Sequence, residues 1–203
     1  MKKIMILGAS YTQIPLYNAA KQMGLKTVAA SIDGPYPCFD IADEKIYVNI
    51  ADPKACAEAA LACHADAVAT CGLDLGMRSI GYINEACHLT GPSKEAARNV
   101  SDKYLMKLAL TGAGVCTAPF FCIRTEDDLE AAMEKLTFPV ILKAVDLMGS
   151  RGIFKSETKE EARINFRRSM EATGKTYCLI EQFIEGPLFY SRYAVRKIDY
   201  LEI

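Results

Sequence analysis

Lys143 closes the apolar run Val140-Ile141-Leu142, and the segment that follows, Ala144-Val145-Asp146-Leu147-Met148-Gly149-Ser150-Arg151-Gly152, is a loop bracketed by glycines. An apolar strand would hold the ammonium in place. Gly149 and Gly152 would free the loop backbone to turn its N–H groups toward phosphate oxygens, as in anion-binding nests. A second lysine, Lys103, opens an amphipathic stretch after Ser101-Asp102, and Leu179-Ile180-Glu181-Gln182-Phe183-Ile184 runs as an apolar strand into Glu185-Gly186-Pro187. Polyphosphate is the ligand this set suits, because one ammonium about 4 Å from a phosphate oxygen gains roughly 4 kcal/mol at an effective dielectric of about 20. Each residue also has a plainer use. Lys143 can be a strand-end lysine reaching water, Lys103 an ordinary helix-surface lysine, Ser150 and Arg151 the tip of a hairpin, and Glu181 to Ile184 a strand end before a Gly-Pro turn.

These side chains need a frame, and the periodicity supplies one. Lys3–Gly8 reads as a strand, Ile14–Met23 as a helix closed by Gly24, and Thr27–Ile32 as a second strand, which together make a βαβ unit. Lys45–Val48 is a third strand. Asp52-Pro53 caps an alanine-rich helix to about Ala65, Ala67–Thr70 is a fourth strand, and a helix follows from about Leu75 to Cys87. Alternating strands and helices predict a parallel sheet covered on both faces over residues 1–92. Residues 93–114 read as a helical connection in which Ser93 and Ser101 each cap a short helix. A new module over 115–187 carries strands at Phe120–Ile123, Val140–Lys143, Ile153–Lys155 and Tyr177–Gln182, with helices opened at Thr125 and Thr158.

Bulk properties exclude several classes. The chain has 203 residues, is 51% hydrophobic and carries a formal charge of −1, with no basic cluster to hold nucleic acid. No apolar run approaches the roughly 20 residues of a membrane helix. Eight cysteines lack Cys-x-x-Cys spacing and read as buried, reduced thiols, which points to the cytoplasm. The Gly8-Ala9-Ser10 turn lacks the glycines of a dinucleotide fingerprint, since Ser10 and Gln13 stand at the later positions. Asp33 reads as a turn aspartate. Asp74, in the turn after the fourth strand, lies where open α/β sheets bind ligands, and is a candidate substrate contact or else a helix cap.

The segments around Lys103, Lys143 and Glu181 resemble, in order and in kind, the nucleotide site of the ATP-grasp superfamily, in the branch of biotin carboxylase and the carbamoyl-phosphate synthase large chain. The resemblance implies an α/β fold: a parallel-sheet pre-ATP-grasp domain followed by an incomplete α+β ATP-grasp lobe. It implies ATP as cofactor, with phosphates at Lys103, Lys143 and the loop Gly149, Ser150, Arg151 and Gly152, and the adenine at Glu181, Gln182 and Ile184. Relatives of this kind activate a carboxylate with ATP and pass the acyl phosphate to an amine. The resemblance fails after Pro187, where Leu188 stands in place of an acidic ribose-binding residue, and the lobe expected to hold Mg2+ is absent. A loss of resemblance within a strand suits a frameshift better than a domain boundary. The expectation is a chain inactive alone, or a binding module that works with a partner chain, with a tail over 188–203 that is poorly ordered or pairs with a second copy.

Overall fold

The computed structural model describes residues 1–187, so the expectations for Leu188 and the tail over 188–203 lie outside the described residues. The first sheet contains β1 (Lys3–Leu7), β2 (Lys26–Ser31), β3 (Glu44–Tyr47) and β4 (Ala67–Ala69), all parallel in the order β3-β2-β1-β4. Met5, Ile6 and Leu7 are fully buried, as expected of a strand covered on both faces. Side chains of one parity, such as Met5 and Leu7, pack with those of α3 (Pro53–Ala62) and α4 (Met77–Ala86). Those of the other, such as Ile4 and Ile6, pack with α1 (Ile14–Gln22) and α2 (Cys38–Ile41). Asp52 caps α3 by accepting from the N–H groups of Lys54 and Ala55, with Pro53 in the first turn.

Local differences from the sequence reading have physical causes. The helix expected from Leu75 begins as a single 3-10 turn, Asp74–Gly76, before α4. After α5 (Lys94–Val100), which Ser93 caps, the next cap is Asp102 rather than Ser101. Asp102 accepts from Tyr104 and Leu105 N–H at the start of α6 (Lys103–Gly112), while the Ser101 hydroxyl turns back to donate to the Ala97 carbonyl. A carboxylate outcompetes a hydroxyl for the helix N-terminus because it also meets the positive end of the dipole. The thiols are less uniformly buried than their composition suggests. All eight are free, but Cys116 is exposed and Cys63, Cys71, Cys87 and Cys122 are half-buried.

The second sheet is antiparallel, with β5 (Phe120–Ile123), β6 (Val140–Ala144), β7 (Ile153–Ser156) and β8 (Cys178–Gln182) in the order β5-β8-β6-β7. Alternation along β6 puts Val140, Leu142 and Ala144 on the covered side. Val140 and Leu142, with Ile123, Cys178 and Ile180, meet α7 (Glu126–Met133) and α8 (Lys159–Ala172). The register places Ile141 and Phe120 opposite Glu181, and Lys143 opposite Leu179, so Lys143 and Glu181 emerge on the other face. α6 reaches that face: Tyr104 stacks edge-on to both Phe120 and Tyr177, each at 6.0 Å between ring centroids.

Candidate functional site

The centre of the polar face is a carboxylate with two ammonium groups. Lys143 Nζ donates to Glu181 Oε1, and Lys107 Nζ lies 2.7 Å from Glu181 Oε2. Lys107 also donates to the Thr117 hydroxyl at 2.6 Å and sits 5.0 Å above the Phe120 ring. The Lys107 and Glu181 side chains are 8% and 11% exposed, so each ion needs its partner. Sequence reasoning missed Lys107. Its one available signal was its place four residues after Lys103 on the same helix face.

Lys103 stands at the first position of α6 and is tied twice to the loop after β6. Its backbone N–H donates to the Val145 carbonyl at 2.9 Å and its ammonium to the Leu147 carbonyl. Burial holds its pKa below the ordinary lysine value, and the nearby positive charge of Lys143 lowers it further, against Asp146, Asp102 and Asp74. The two candidate phosphate lysines are held on different partners, Lys103 on the Leu147 carbonyl and Lys143 on Glu181, and the charge of Lys143 disfavours the charged form of Lys103. Tyr177 fixes this corner by donating to Asp102 at 2.5 Å, and burial followed by this bond pushes the phenol pKa up to about 12.

The loop itself separates into parts with different causes. Gly149 has φ +64° with open space where a Cβ would stand, and Ser150 follows with φ +60°, unusual for a residue with a side chain. Gly152 has φ +67°, but there a Cβ would fall 2.6 Å from Ala144 Cβ and 3.1 Å from Ala172 Cβ. Its carbonyl accepts from Ala144 N–H and from the Ser169 hydroxyl. Gly152 thus lets the loop close against β6 and α8, while Gly149 and Ser150 form the free turn. The Arg151 guanidinium donates back to the Met148 carbonyl at 3.2 Å, which stiffens the turn from within.

This loop, the start of α6 and the Asp74 turn together line a cleft of about 850 Å3 between the two sheets, large enough for a small ligand. Arg78, Arg98, Lys103 and Lys175 bring positive charge to its wall beside Asp74, Asp102 and Asp146. Asp146 is already engaged by the Thr173 hydroxyl and the Gly174 N–H. Lys143, Arg151 and Gly152 do not line that cleft, and Glu181, Gln182 and Ile184 also lie apart from its wall, at the end of β8. The Gln182 and Phe183 N–H groups donate to the carbonyls of Pro119 and Pro139, and Ile184 is 68% exposed. Among the described residues no three His, Cys, Asp or Glu side chains converge as a metal site, and no helix is long and apolar enough to cross a membrane.

Residues 102–191 match the family described as the carbamoyl-phosphate synthase L chain, ATP binding domain. The chain is 26% identical over 204 residues to the mitochondrial propionyl-CoA carboxylase alpha chain of Sus scrofa, covering 91% of this chain and 28% of that one. Phosphoribosylglycinamide synthetase from Anaerococcus prevotii superposes with a TM-score of 0.69 at 39% identity, covering 91% of this chain and 46% of that one. The biotin carboxylase domain dimer of Hydrogenobacter thermophilus 2-oxoglutarate carboxylase, solved with MgADP, ADP and bicarbonate, superposes with a TM-score of 0.73 at 23% identity, covering 91% and 44%. The chain spans between about a quarter and a half of the length of these relatives.

Proposed function

We propose that this chain, which shares the ATP-grasp fold and an ATP-binding-domain sequence with biotin carboxylase and its relatives, binds the polyphosphate of ATP on Lys103, Lys143 and the loop at Gly149 and Ser150. One observation carries the reading: Lys103, at the first position of α6, reaches a loop with two successive left-handed residues and lines the same cleft as Arg78, Arg98 and Lys175. Like charges gathered at a cost in solvation are compensated by a polyanion. Adenine lies along Glu181, Gln182 and Ile184, where donors to the ring come from Ile184 onward because the two preceding N–H groups serve the fold. Asp74, with Arg78 and Arg98, faces the acceptor substrate across the cleft, and a carboxylate-bearing small molecule suits that wall.

ATP-dependent carboxylate activation, as in a carboxylate-amine ligase, is the reaction class this reading serves. Magnesium neutralises phosphate charge in such chemistry, and the described residues offer no convergent set to hold it, so no step is assigned to this chain through the metal. The chain alone binds nucleotide without turnover in this reading, and a partner polypeptide or a second copy completes the reaction. A cytoplasmic setting belongs to the same reading, supported by the free thiols.

Titration with ADP, followed through the backbone amide resonances of Gly149 to Gly152, tests the proposal. A dissociation constant nearer millimolar (about 4 kcal/mol) than micromolar (about 8 kcal/mol) is expected, because the described residues build one wall of the site. Amides that stay unmoved at about ten times that concentration would overturn it.

A further inference from the structure

The two ammonium groups on Glu181 are unlike. Lys107 comes from α6, is 8% exposed and has a second polar partner in Thr117 as well as the Phe120 ring beneath it. Lys143 is 22% exposed, and among the described residues its ammonium has no polar partner besides Glu181. A phosphate that draws Lys143 away must break its bond to a carboxylate that is only 11% exposed. Without a second cation that carboxylate would be left buried and uncompensated, which is the costly way to open a buried pair. We propose that Lys107 is a positioning residue of the nucleotide site: it neutralises Glu181 from the buried side, so that Lys143 can leave for a phosphate without stranding a charge.

The inference rests on the nucleotide reading above and adds a resident counter-cation to it. Lys107 touches no ligand. Its contacts with Thr117 and Phe120 keep it in place while Lys143 exchanges partners, and they fix the end of β8 at which Glu181 stands.

ADP titrations of the full chain, as wild type, Lys107→Met and Lys107→Met/Glu181→Gln, test it. Lys107→Met is expected to weaken ADP about thirty-fold, since Lys143 then becomes the sole partner of Glu181 and the phosphate must compete for it. The double variant is expected to regain most of that loss, because a neutral amide neither holds Lys143 nor needs a cation. Lys107→Met binding ADP as wild type does, or a double variant as weak as the single one, would overturn the assignment. A wild-type chain that ignores ADP would sink the nucleotide reading instead. Unfolding without ligand then decides the separate point. Lys107→Met should melt lower than Lys143→Met, with Glu181→Gln restoring it; the reverse order would show that Lys143, not Lys107, is the resident partner.

Discussion

Two strand-to-loop turns in this molecule start from similar ingredients and end differently. The turn after β1 and the turn after β6 both follow a buried apolar strand and both contain glycine at positive φ, Gly8 at +101° and Gly149 at +64°. In the first, Gln13 is fully buried and fills the turn. Its Oε1 accepts from the Ser10 N–H and hydroxyl, and its Nε2 donates to the Cys71 carbonyl at 2.6 Å. In the second, nothing stands within 4 Å of the place where a Gly149 side chain would begin, and the Lys103 ammonium reaches the Leu147 carbonyl just before it. A glycine turn after a strand is therefore only half of an anion site. What decides is whether the turn's polar groups are satisfied by the chain itself.

The sharpest way to break this contrast is to fill the second turn from within. Gly152→Val would drive a branched side chain into Ala144 and Ala172 at a left-handed φ, and should cost about 3 kcal/mol or more. Thermal unfolding should then fall by on the order of 10 °C. Gly149→Ala, with open space and the same sign of φ, should cost only about 1 kcal/mol. Equal losses at the two glycines would mean that the loop is packed throughout and has no free turn.

Emptying the first turn is the complementary change. Gln13→Leu leaves the Ser10 N–H and the Cys71 carbonyl without their partner, at a cost of about 2 kcal/mol in stability. ADP affinity should not change. A loss of ADP binding with unaltered melting would show that the first turn, not the second, contacts the nucleotide.

How much of this was legible in the sequence depends on the range over which each fact is decided. The strands around Met5 and Leu142, the Asp52 and Thr125 caps and the free turn at Gly149 are short-range facts, set by period, cap chemistry and backbone freedom. Lys143 stood out through its local setting, a strand end before a glycine loop, whereas Lys103 stood out only through the family resemblance. The partnership of Lys107 with Glu181 was not legible, because it arises from β8 pairing beside β6 while α6 lies over that face, and no local pattern encodes it. Gly152 looked like a loop glycine for the same reason. The methyls that forbid a side chain there belong to Ala144 and Ala172, brought in by the end of the interior strand β6 and by the end of α8.

Between the lysines the expected difference is smaller. Lys143→Ala should weaken ADP about ten-fold, or about 1.4 kcal/mol, and more than Lys103→Ala does, since the β6 backbone holds Lys143 in register. The melting temperature should hardly move in either case, because Glu181 keeps Lys107. A collapse in melting on losing Lys143 would make it a structural ion and end its assignment to phosphate.

The smallest effect is the most specific to the second turn. Folding lowers the Lys103 pKa, first by burial and then through Lys143, so in the window below the ordinary value of 10.5 the unfolded chain binds the proton more readily. Stability from this group therefore rises with pH as the folded chain sheds its proton first, and levels off above the unfolded value. Tyr177 opposes it at higher pH: its phenol is raised to about 12 against an ordinary 10.0, so its stabilisation is lost between those values. Subtracting the unfolding profile of Lys103→Met isolates the lysine, and the difference should grow in favour of the wild type as the pH rises toward the ordinary lysine value of 10.5. Tripolyphosphate should abolish that slope, because a bound anion favours the ammonium and offsets the burial and the Lys143 charge that had lowered its pKa. A slope unchanged by tripolyphosphate would mean that the anion does not reach Lys103, and the second turn would then bind through Lys143 and the loop alone.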